Sequence, residues 1–129
     1  MERFIRGQVV IIPFPFSDLT NAKRRPALVL AVLPFNDLLL CQIFSKFRLD
    51  RHALPLESTD FASGSLPSQS YVRCGKLFAA AEHIVERTTG FLTNRALSRI
   101  AHTNADIVLG VDNKTPRENS EDSESKPDS

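Results

Sequence analysis

The chain has 129 residues, 42% hydrophobic and 24% charged, with a formal net charge of +1, enough for one compact core and no more. That balance hides an asymmetry: residues 113–129 carry three cations and five anions, leaving 13 cations against 10 anions in the remainder, a mild basic excess compatible with nucleic acid without demanding it. No apolar run has the length of a membrane span and no charged-then-apolar leader precedes a small-residue cleavage site, so the expected compartment is the cytoplasm.

Residues 8–12 form a β-branched run that reads as a first strand ended by Pro13, whose missing N–H stops a ladder. The loop that follows, to Arg24, holds the turn formers Pro15, Ser17, Asp18 and Asn21. Residues 27–33 are almost continuously apolar up to Pro34, as in a strand buried on both faces. Asn36-Asp37 predicts a tight hairpin into a third strand over 38–47. A short fourth strand over 54–57 precedes a single helical turn at 58–61, and Gly64 breaks the chain.

Residues 70–80 read as a strand bent or bulged at Gly75, whereas 82–87 are ambiguous. Residues 88–92 form a last short strand, and Thr93 is placed as the N-cap of a helix. On that helix Leu97, Ile100, Ala101, Asn104 and Val108 share one face, interrupted only by the asparagine. The pattern is mainly β with a C-terminal helix, in one domain over 1–112. Residues 113–129 hold no large apolar side chain and read as a disordered acidic tail, with solubility as its plain role and competition for a nearby cationic groove as the sharper one.

Residues 14–28 are a polar loop that ends in Lys23-Arg24-Arg25 at the mouth of an apolar strand. Cations held by a strand edge can be aimed at a phosphate, whereas a solvated run only raises the local anion concentration. Composition leaves both readings open.

Four segments taken in order carry more. Arg6-Gly7-Gln8-Val9-Val10, Phe14-Pro15-Phe16-Ser17-Asp18, Lys23-Arg24-Arg25-Pro26-Ala27-Leu28-Val29-Leu30 and Ser70-Tyr71-Val72-Arg73 together resemble the PemK/MazF toxin family, over a stretch from about Arg6 to near Leu109. The resemblance implies a small SH3-like barrel and the toxin of a type II toxin–antitoxin pair. It also implies cleavage of single-stranded RNA without a metal or cofactor, a cognate antitoxin whose acidic tail covers the RNA grooves, and a two-fold homodimer with RNA crossing its interface.

RNA can be cut without a metal when its own 2′-hydroxyl attacks the neighbouring phosphorus, giving a cyclic phosphate and a free 5′-hydroxyl, so the protein supplies mainly geometry and charge. Arg25, directly before Pro26, is the strongest candidate: proline favours an extended backbone at the residue before it, and a guanidinium matches charge on phosphoryl oxygens better than a mobile ammonium. By resemblance it is the catalytic arginine. Arginine is a poor base but a good donor, so its role is transition-state stabilisation and proton donation to the leaving 5′-oxygen.

In Gln42-Ile43-Phe44-Ser45-Lys46, the family's Q-I-T-S threonine is replaced by Phe44, and Ser45 matches the following serine, a second catalytic candidate that holds the scissile phosphate or orients the 2′-hydroxyl. Arg73 matches a phosphate-binding arginine; Gly75 stands where some members have an acid. Lys23, Arg24 and Lys46 are further RNA-binding cations. Phe16 and Tyr71 are candidates for stacking on unpaired bases, with core packing the alternative for the phenylalanines.

His52, His83 and His102 share no motif, and no metal-ligand spacing occurs. Cys41 and Cys74 lie in apolar segments and read as small buried hydrophobes. With two polar groups of the family pattern missing at Phe44 and Gly75, the alternative function is a barrel that binds RNA or a protein without cutting. A topoisomerase-type inhibitor, a role attached to relatives of this fold, is a third.

Overall fold

The computed structural model of the protein describes residues 3–14, 23–46 and 49–111. Seven strands, β1 (Gln8–Phe14), β2 (Lys23–Leu33), β3 (Asp37–Phe44), β4 (Ala53–Leu56), β5 (Phe61–Gly64), β6 (Ser70–Ala81) and β7 (Arg87–Leu92), precede one helix, α1 (Asn94–Leu109). They pair antiparallel in the order β4-β6-β3-β2-β1-β7-β5, a half-barrel of the small SH3-like kind with one helix at its end, as expected.

Two apolar clusters explain why β2 and β3 are apolar on successive residues. Leu28, Leu30, Cys41 and Ile43 pack with Val72, Cys74 and the α1 residues Ala96, Leu97 and Ile100. Ala27, Val29, Leu38 and Leu40 pack on the opposite face with Val10 and Ile12. Because side chains alternate across a strand, a strand buried on both faces shows no polar alternation. The two faces separate again at the hairpin tip, where Val32 is 48% exposed and Phe35 95% exposed. Phe35 and Asn36 both have positive φ there, at 64° and 62°, the geometry of a primed hairpin turn.

Several boundaries differ from the sequence reading. β1 continues through Pro13 to Phe14, paired with β2 from Val9 to Phe14 but with β7 only from Gln8 to Ile11. Beyond Ile11 one side of β1 is therefore an edge, where a missing N–H interrupts no ladder. β3 ends at Phe44, short of the expected 47. Residues 61–64 form a strand that the sequence reading missed: Gly64 pairs with Gly90 at φ 74° instead of simply breaking the chain. The ambiguous stretch contains a 3-10 turn at Glu82–Ile84, and another 3-10 turn occupies Ser58–Asp60.

α1 begins as expected, with the Thr93 hydroxyl accepting from Ala96 N at 3.1 Å. Its buried stripe is Ala96, Leu97, Ile100, Thr103 and Asn104, and Ile107 packs against the same cluster. Val108 is 71% exposed and does not join the face predicted for it. At about 100° per residue it sits roughly 80° from Ile100, on the rim of the stripe and in the last turn. The tail over 113–129 lies outside the described residues.

Candidate functional site

The three cations do not sit in a free loop. Lys23, Arg24 and Arg25 are exposed residues of β2, in register with Phe14, Pro13 and Ile12. An extended backbone before Pro26 favours this arrangement, and strand pairing gives each cation a fixed direction. Arg25 lies opposite Ile12 and two residues from Ala27, both in the second cluster, so strand alternation places it on that face. Among the described residues its side chain makes no hydrogen bond or ion pair.

Arg24 turns the other way. Its Nε donates to Glu86 Oε1 at 2.8 Å and lies 2.8 Å from Oε2 in the same ion pair, beside β7 and away from β3.

β3 and β6 extend the same face. Phe44 is paired with Tyr71, and the two rings stack with centroids 5.5 Å apart and planes at 26°. Two residues along β6, Arg73 donates from Nε to Asp50 Oδ2 at 3.2 Å. Carried two residues further, the Ala27↔Gln42 register sets Arg25 across from Phe44. Arg25, Phe44, Tyr71 and Arg73 therefore share one face of three adjacent strands, with about 10 Å between β2 and β6. Two guanidinium groups flanking an aromatic ledge form an arrangement suited to a nucleotide, with charge for the phosphates and π-surface for a base.

The expected bulge is present in β6. Between the pairs Cys41↔Leu77 and Ile43↔Val72, the single residue Gln42 faces residues 73–76, which include the exposed Gly75. Buried polar groups hold this bulge from below. Cys41 Sγ donates to Arg73 O at 3.0 Å, and Asn104 Nδ2, the polar break in the helix face, donates to Cys74 O at 2.8 Å. Both cysteines are buried, in accord with the sequence reading. Burial pushes the Cys41 thiol up to about 12, with Cys74 adding to the shift and the Asn104 hydrogen bond opposing it.

Other candidates lie apart. Ser45 and Lys46 are exposed in a bend just past the end of β3, so Ser45 is near the strand end but not on the paired face. Phe16 lies outside the described residues. His52 is half-buried next to β4, and His102 is exposed, its Nδ1 2.8 Å from Ser98 O. Among the described residues no three His, Cys, Asp or Glu side chains group closely enough to hold a metal ion, and no helix is long and apolar enough to cross a membrane. Sequence reasoning missed Asp50 and Glu86, which reach their arginines across 23 and 62 residues of chain. The only local trace of Asp50 was a turn-forming acid just before β4.

Fold and face together define a small antiparallel half-barrel that carries an arginine-flanked aromatic ledge. Residues 5–107 match the family described as "PemK-like, MazF-like toxin of type II toxin-antitoxin system", and the chain belongs to that family. Members are toxins with endoribonuclease activity as their family role. None of the curated proteins is similar enough in sequence to match.

Solved structures with the same fold include an endoribonuclease from a mycobacterial species, 17% identical with a TM-score of 0.63, covering 86% of this chain and 95% of that one. A mycobacterial endoribonuclease in complex with its cognate antitoxin is 15% identical with a TM-score of 0.65, covering 85% and 98%. MazE–MazF from Deinococcus radiodurans is 16% identical with a TM-score of 0.64, covering 83% and 96%.

Proposed function

We propose that this protein is the toxin of a type II pair, a metal-independent endoribonuclease that cuts single-stranded RNA in the cytoplasm. The observation that carries this reading is the shared face of Arg25, Phe44, Tyr71 and Arg73 on β2, β3 and β6. RNA supplies its own nucleophile. The 2′-oxygen bonds to phosphorus as the P–O5′ bond breaks, the 2′-oxygen gives up a proton and the 5′-oxygen gains one, leaving a cyclic phosphate and a 5′-hydroxyl. Arg25 donates to the phosphoryl oxygens as their charge rises and to the leaving 5′-oxygen, and Arg73 holds a phosphate.

Ser45 acts beside the scissile phosphate. Lys23, Arg24 and Lys46 add charge to the RNA contact and Tyr71 a ring, with the Glu86 pair reducing what Arg24 contributes; Phe16 is kept as a further base-stacking candidate. The working unit is a homodimer silenced by a cognate antitoxin, as implied by the family and by the antitoxin complexes of structures with this fold.

A second reading is a barrel that binds RNA or a partner without cutting it. Phe44 is buried and stacked on Tyr71, at the position where the resembling family carries a hydroxyl. One experiment separates the two. Purified protein is incubated with a long unstructured RNA in EDTA beside an Arg25→Ala control, and fragment ends are mapped and tested for a cyclic phosphate. Cutting by the parent alone supports the enzyme; intact RNA that is still bound supports the silent barrel.

A further inference from the structure

Among the described residues Arg73 is engaged only by its Nε, which donates to Asp50 Oδ2 at 3.2 Å. That contact uses the inner donor of the guanidinium and leaves the two Nη groups, the edge that matches a phosphate in bidentate fashion. The Asp50 carboxylate is itself fixed. Its Oδ1 accepts from His52 N at 2.9 Å, and its carbonyl accepts from Ala53 N at 3.0 Å. The turn so formed opens β4, whose Ala53 is paired with Arg73 itself, so the anchor sits in the turn that leads into the strand beside the arginine's own. Exposure falls in the matching order, 18% for the Asp50 side chain and 37% for that of Arg73, with the carboxylate inside and the guanidinium toward solvent.

The Arg73 backbone is held as well, through the Cys41 thiol on its carbonyl. A long side chain tied at both ends has less rotamer freedom to lose when it meets its ligand, which is where preordering gains affinity.

We propose that Asp50 is a positioning residue that aims the Nη edge of Arg73 at an RNA phosphate beside the Phe44–Tyr71 ledge. This rests on the RNA-binding reading above. Asp50 touches no substrate and acts through Arg73 alone, so its effect vanishes when Arg73 is absent. A carboxylate that merely occupied the phosphate seat would do the reverse, and its removal would tighten binding.

The test is RNA affinity at several salt concentrations for the parent, Asp50→Asn, Arg73→Ala and the double variant, with thermal unfolding recorded for each. Asparagine keeps the turn acceptor for His52 N while removing the charge; Asp50→Ser, which also keeps an acceptor, repeats the test if Asp50→Asn does not fold. The expected result is binding weakened about tenfold by Asp50→Asn, with the double variant no weaker than Arg73→Ala, the signature of two residues acting as one unit. Tighter or unchanged binding in Asp50→Asn, or losses that multiply in the double variant, overturns the proposal and leaves the RNA reading standing. A parent that binds no RNA overturns both, and this is seen before any variant is compared.

Discussion

The rings of Phe44 and Tyr71 lie on paired strands with centroids 5.5 Å apart and planes at 26°. Phe44 is buried at 7% exposure, while Tyr71 is half-buried and keeps a solvent-facing part. In this pair Phe44 is the support and Tyr71 the surface open to a base.

Tyr71→Ala should weaken binding of unstructured RNA by about 1–3 kcal/mol, the worth of one base–aromatic stack. Tyr71→Phe should retain most of it. Equilibrium binding of both variants checks this, and equal losses in the two would point to the hydroxyl instead of the ring.

Arg25 is exposed and makes no ion pair among the described residues, so its removal leaves no buried charge unpaired. Arg25→Ala should keep the parent unfolding free energy to within about 0.5 kcal/mol and abolish cleavage. Arg25→Lys should restore little, because an ammonium lacks the planar fork. An active Arg25→Ala protein removes Arg25 from the mechanism.

Arg73→Ala should reduce the slope of log affinity against log salt by about 0.7, the value for one phosphate contact on a single strand. A lowered affinity with an unchanged slope would mean that Arg73 supports the site without touching phosphate.

Gly64 has φ 74°, and a Cβ there would lie 2.2 Å from the carbonyl oxygen of Thr89. Both the backbone conformation and the close approach exclude a side chain, so Gly64→Ala should destabilise the fold by about 3 kcal/mol or more. Denaturant unfolding measures it, and a loss under 1 kcal/mol would show that β5 can separate from β7 at little cost.

The Cys41 thiol, held at about 12 by burial, gives stability a defined alkaline limit. Below the ordinary thiol value of about 8.5 both states keep the proton, and this group adds no pH dependence. Above it the unfolded chain loses the proton while the folded one retains it, so stability falls by about 1.4 kcal/mol per pH unit until pH approaches 12. Unfolding free energies across this window should differ in slope by one proton between the parent and Cys41→Ala. Parallel curves would show that the thiol titrates normally.

Sequence alone determined the strands whose signals are local: the apolar runs of β2 and β3, the hairpin between them, though its turn falls on Phe35-Asn36, one residue before the Asn36-Asp37 expected, the bulge at Gly75 and the Thr93 cap. Each depends on residues that are neighbours in the chain, where conformation and alternation act directly. The ordered set of basic and aromatic segments was enough to suggest the family.

The tertiary structure decided what depends on distant partners. β5 has a single large apolar residue and exists because β7 offers it a backbone edge. Pro13 is tolerated because β7 has already left β1. Most of all, the direction of each cation was decided by folding. Arg24 and Arg25 are consecutive and chemically identical, yet Glu86 draws one toward β7 while the β2–β3 register sets the other across from Phe44. Asp50, 23 residues before Arg73, takes hold of it only because β4 and β6 are paired. Composition cannot encode such choices, since a charge acquires a direction only when the sheet that carries it has closed its hydrogen bonds.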